Sequence, residues 1–206
     1  MSRRAAKIFD FIFSHIDSPS YNPDASEKQL IRVRIGKLRE KDFYGDEYYY
    51  TFHTTLKFIQ KYLEGQDIVM LFNKFETNRL PIYPIWEEEY YPLEYLTDPM
   101  NDGLISSDSQ YRSESVELLE KICEFLLFHF NSLGSSETIA HVLVFLHKIY
   151  IKHGKVEIEH FFTALPSEDR EYYKRDIKNY SLHFGSHSMK DQITQMCEII
   201  NKLLSK

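Results

Sequence analysis

Residues 113–154 read SESVELLEKICEFLLFHFNSLGSSETIAHVLVFLHKIYIKHG, two long apolar runs joined by a short polar link. In the first run Val116, Leu119, Cys123, Leu126, Phe130 and Leu133 recur at steps of three and four, the spacing that puts side chains on one face of a helix. Leu118, Ile122, Phe125 and Phe128 form a second stripe beside the first, leaving Glu117, Glu120, Lys121 and Glu124 as the polar edge. A helix apolar over more than half its circumference needs neighbours on several sides, so this one belongs near the centre. The second run begins at Ser136, a good cap, carries Ile139, Val142, Leu143, Phe145, Leu146, Ile149 and Tyr150, and stops at Gly154. The short link through Asn131 to Ser136 favours antiparallel neighbours.

C-terminal to this hairpin every hydrophobic period is helical. A helix is expected from about Val156 to Leu165, another from Pro166 and Ser167 through Tyr180, and a last one after Ser188 and Asp191. N-terminal to it the periods are mixed. Arg3 to Ile16 reads as a helix ended by Ser18-Pro19-Ser20-Tyr21-Asn22-Pro23. Leu30-Ile31-Arg32-Val33-Arg34-Ile35 alternates apolar and charged residues and reads as a half-buried strand, although Ser26 with Gln29 resembles a helix capping box. Asp46 is a candidate cap for a helix carrying Tyr49, Phe52, Leu56, Ile59 and Leu63, with Gly65 closing it. The continuous apolar run Ile68-Val69-Met70-Leu71-Phe72 suits a buried strand. The expected fold is therefore α+β and predominantly helical. A small strand-containing lobe over residues 1–75 packs on a C-terminal bundle of about five helices over 113–206, with residues 76–112 connecting them in one compact unit.

At 206 residues and 43% hydrophobic, the chain can bury one substantial core. Its 15 Tyr and 15 Phe against 7 Gly exclude a low-complexity chain. A formal net charge of −6 gives no global basic field, so nucleic acid is not an expected partner. The local cluster Arg32, Arg34, Lys37, Arg39 and Lys41 reads as a solvated strand edge. Arg3 and Arg4 precede Ile8, Phe9, Phe11, Ile12 and Phe13, but Asp10 and His15 interrupt that run and no cleavage pattern follows, so an amphipathic first helix docked on the core is expected. No apolar stretch approaches the roughly 18 residues a membrane span needs. Cys123 and Cys197 both fall on apolar helix faces, where thiols act as small hydrophobes, which fits a reducing, cytoplasmic setting.

Residues 76–112 behave least like scaffold. They hold four of the seven prolines, the only Trp, and eight acidic residues against Arg79 and Arg112. A connection this long without periodicity is usually functional or mobile, and its aromatic content argues against simple disorder. Tyr83, Trp86, Glu87, Glu88, Glu89, Tyr90, Tyr91 and Tyr95 are the candidate partner-binding residues: aromatic anchors give contact area at little entropic cost, and the glutamates select a basic or amphipathic segment. The competing reading folds Ile82, Ile85, Trp86, Tyr91 and Leu93 back over the core.

Signatures of catalysis are scarce. No Gly-flanked serine, phosphate-binding glycine loop or His-Glu-x-x-His pattern occurs. Glu157 and His160 lie one helical turn apart, as in di-iron bundles, but such sites need two pairs and two further glutamates. His183 and His187 are separated by a loop-forming Gly185, and His129, His141, His147 and His153 mark helix edges. The sequence thus points to a non-enzymatic, cofactor-free interaction module of the adaptor or chaperone type, taking a partner's helix or extended segment in a groove between the lobes. A toxin-neutralising inhibitor is one alternative, and a metal-dependent enzyme built on Glu157 and His160 is another. Self-association through an apolar face of the last helix is a further possibility.

Overall fold

A computed structural model describes residues 2–43, 48–83, 91–97, 111–130, 136–181 and 189–206. Its described residues form an all-α protein of ten α-helices with no strand. They are α1 (Arg3–Ile16), α2 (Ala25–Ile35), α3 (Tyr48–Tyr62), α4 (Gly65–Phe72), α5 (Glu94–Thr97), α6 (Arg112–Phe130), α7 (Ser136–Lys152), α8 (Lys155–Ala164), α9 (Ser167–Ser181) and α10 (Lys190–Leu204).

The α+β expectation is therefore overturned, at both proposed strands. Alternation over Leu30–Ile35 would turn Ile31, Val33 and Ile35 to one side together. Instead Ile31 and Ile35, four residues apart, are buried, whereas Val33 is 46% exposed, the signature of a helix. Asp24 decides the start of α2: its carboxylate accepts the Glu27 N–H at 2.9 Å, so the cap is two residues upstream of Ser26. The run at 68–72 is also helical, with Ile68, Leu71, Phe72 and the following Phe75 inside and Met70 outside. Gly65 opens α4 and does not close α3, because Asp67 reaches back to accept the Glu64 N–H at 3.1 Å. A short apolar run cannot by its periodicity distinguish a buried strand from a helical turn or two.

The same Asp67 carboxylate receives the Arg32 Nε–H at 3.0 Å, and Glu64 pairs with the Arg32 guanidinium at 2.9 Å. Arg32 thereby ties α2 to the N-terminus of α4, where negative charge suits the helix dipole. In the N-terminal half the core is built largely of rings. Phe52 meets Phe43, Phe72 and Phe75 edge-on at 5.5, 5.4 and 5.3 Å, and Phe43 meets Phe9 at 5.4 Å. Each such pair contributes about 0.5–1.5 kcal/mol beyond its burial.

The two central helices behave as their stripes require. α6 packs on α4, α7, α8 and α9, and α7 on α5, α6, α8 and α10. Leu133 lies outside the described residues. The apolar face of α10, through Ile193, Met196, Cys197, Ile200, Leu203 and Leu204, is buried in the core against its neighbours. One continuous set of buried apolar residues runs from Ala5 to Leu204. α1 docks on it through Ala5, Ile8, Phe9 and Ile12. No described helix is long and apolar enough to cross a membrane.

Candidate functional site

Three of the aromatic residues expected to bind a partner are described. Tyr83 is half-buried and edge-on to Phe125 at 5.8 Å, with its hydroxyl 3.3 Å from His129 Nε2 on α6. Burial also pushes the His129 imidazole below its ordinary pKa. Tyr95, on α5, places its hydroxyl 2.9 Å from His53 Nε2 on α3. Both phenols are turned toward scaffold histidines and pin the connecting segment to the helices beneath. Tyr91 likewise packs on a scaffold histidine, lying over the His141 ring of α7 at 5.2 Å between centroids. Trp86, Glu87, Glu88, Glu89 and Tyr90 lie outside the described residues.

Tyr91 stands at the edge of a pocket of about 60 Å³ between the Tyr91–Leu93 turn, α5 and α7. Ile82, Leu93, Val144 and Phe145 give it an apolar lining, and Glu94, Thr97, His141 and Lys148 supply polar groups. The α7 contribution, His141, Val144, Phe145 and Lys148, follows steps of three, one and three, a single helical stripe. In the sequence that stripe cannot be told from the apolar pattern it belongs to, since Val144 and Phe145 are buried in the same core as Val142, Leu143, Leu146 and Ile149. Met189, just before α10, also lines it. A space this small holds a side chain of a few carbons, well below the 300–1,000 Å³ typical of a small-molecule site.

Among the described residues the metal-site candidates do not assemble. Glu157 is engaged by the Arg112 guanidinium, and His160 is exposed on α8. No group of three or more His, Cys, Asp or Glu capable of holding a metal occurs among the described residues. His183 and His187 lie outside them. His147 is buried, with Nε2 2.9 Å from the Gln195 amide oxygen, joining α7 to α10. Both thiols are buried: burial, aided by Glu198, pushes Cys197 up to about 12, and burial raises Cys123 further. Neither is a nucleophile at neutral pH. No family model, curated protein or solved structure matches this chain.

Proposed function

We propose that this protein is a non-enzymatic interaction module that captures a segment of another protein through the pocket between α5 and α7. The observation that carries the reading is the pocket itself: an apolar lining sized for one aliphatic side chain, with Tyr91 at its edge and Glu94 beside it. Apolar anchors supply affinity in such sites, and a neighbouring charge sets selectivity. Glu94 continues the acidic character of residues 76–112 on one side of the pocket while Lys148 lines the other, so the favoured occupant presents one aliphatic residue with a lysine or arginine on the Glu94 side.

Selection from a displayed random-peptide library tests this directly. Enriched peptides should share an aliphatic residue flanked by a basic one. Their binding should fall at least tenfold in Tyr91→Ala and in Glu94→Lys, with the melting temperature of each variant within a few degrees of the wild type. No enrichment, or binding indifferent to both substitutions, overturns the reading.

A further inference from the structure

Five cations converge where α1 passes the C-terminal end of α2. Arg3, Arg4 and Lys7 of α1 face Arg34 of α2 and the following Lys37 across an open trough of about 870 Å³ floored by Ile8 and Phe11. Nearby, Arg32 of α2 is neutralised by Asp67 and Glu64, and Arg39, four residues beyond the end of α2, pairs with Asp42. None of the five trough cations makes an ion pair with an acidic side chain among the described residues. Arg34 and Lys37 stand where a helix C-terminus favours positive charge, but Arg3, Arg4 and Lys7 occupy the opposite end of a helix whose first turn has no acid. Their placement works against the α1 dipole, and helix stability does not explain it.

The chemistry of the trough narrows its occupant. The Arg34 guanidinium lies 5.1 Å over the Phe11 ring, which also packs on Tyr21 and Phe58, so that ring is not an open platform for a nucleobase. Ile8 is buried in the core and cannot insert into a bilayer. The Ser2 hydroxyl accepts the Ala5 N–H and itself donates to the Asp42 carboxylate at 3.0 Å, so a negative group already stands at this helix N-terminus, which disfavours a phosphate held on its backbone amides. Arg3 and Lys7 are four residues apart, about 6 Å along the axis. Alternate side chains of an extended chain repeat at about 6.7 Å. At physiological ionic strength the trough's field is screened beyond about 8 Å, and the molecule as a whole carries −6, so an anionic segment short enough to lie within the trough is attracted while a long polyanion also meets the net negative surface.

We propose that the α1–α2 trough binds an extended acidic peptide segment of a partner protein, with carboxylates at alternate positions meeting Arg3, Arg4 and Lys7 on one wall and Arg34 and Lys37 on the other. This surface is independent of the pocket at Tyr91 and stands or falls separately.

Fluorescence anisotropy with a labelled octapeptide of alternating glutamate and serine tests it, with the glutamine analogue as control. The acidic peptide should bind, weaken as salt rises, and lose at least tenfold in affinity in the double variant Arg3→Glu/Lys7→Glu and in Arg34→Glu. Lys202→Glu, a reversal of the same sign at an exposed position of α10, should leave binding within twofold. An acid in the first turn suits the α1 dipole, so lost binding in the double variant would not reflect a melted helix. Equal weakening by Lys202→Glu, equal binding of the glutamine peptide, or tighter binding of inositol hexakisphosphate or anionic phospholipid vesicles through the same residues would each overturn the proposal.

Discussion

His53 is the residue whose surroundings speak most directly through pH. Burial against α5, with the Lys57 charge adding to it, pushes its imidazole down to about 4, and burial with the nearby Glu94 pushes the Tyr95 phenol up to about 12. Across the neutral and mildly acid range the phenol therefore keeps its proton and the imidazole stays neutral, the two sharing a hydrogen bond whose direction follows the imidazole tautomer. In the unfolded chain an ordinary histidine takes up a proton near 6.5, so between pH 6.5 and 4 the unfolded state binds more protons and stability falls as pH falls. The ring is only half-buried, and with solvent screening the loss attributable to it is at most about 1 kcal/mol. Urea denaturation at pH 7 and pH 4.5 should show a smaller acid-induced drop in His53→Gln than in the wild type. Identical drops in the two proteins would mean that His53 does not carry the effect.

At the level of elements, α2 shows what single-sequence periodicity can and cannot decide. Alternation in Leu30–Ile35 and the apolar run at 68–72 each fit two secondary structures, and the choice rests on which residues the rest of the chain covers. Arg32 illustrates the point: its partner Asp67 lies 35 residues on, and nothing local announces the pair. The long stripes of α6, α7 and α10 leave no such choice, because four or five turns of consistent spacing cannot be satisfied by a strand. The helical assignment of α2 makes an opposed pair of expectations. Ile31, 1% exposed, should cost about 2–4 kcal/mol when replaced by Ala. Val33→Ala, on the exposed side of a helix and with better helix propensity, should change stability by no more than about 0.5 kcal/mol in either direction. Were the segment a strand with Val33 on its inner face, both substitutions would be costly, so the two urea midpoints decide between the folds.

For the whole molecule, the sequence makes the candidate site only half legible. Tyr91 is visible as an aromatic in an acidic segment, whereas the wall opposite it, Val144 and Phe145, is indistinguishable in sequence from the rest of a core helix. A pocket is a relation between elements distant in the chain, and periodicity describes one element at a time. The same relation governs stability. Buried residues form one continuous core in which α4 of the N-terminal half packs on α6 of the C-terminal half, and α5 on α7, so the chain should unfold as a single cooperative unit. Cys197, 1% exposed on α10, reports on this from one end, and Phe52, fully buried among Phe43, Phe72 and Phe75 on α3, perturbs it from the other. Phe52→Ala should cost about 3–5 kcal/mol. In a Cys123→Ser background, where Cys197 is the remaining thiol, labelling by a thiol reagent that must await global unfolding should then accelerate at least a hundredfold, since about 1.4 kcal/mol is a factor of ten. If the two halves were separate units, the lesion at Phe52 would leave Cys197 labelling at its original rate, even as the N-terminal helices lost their structure.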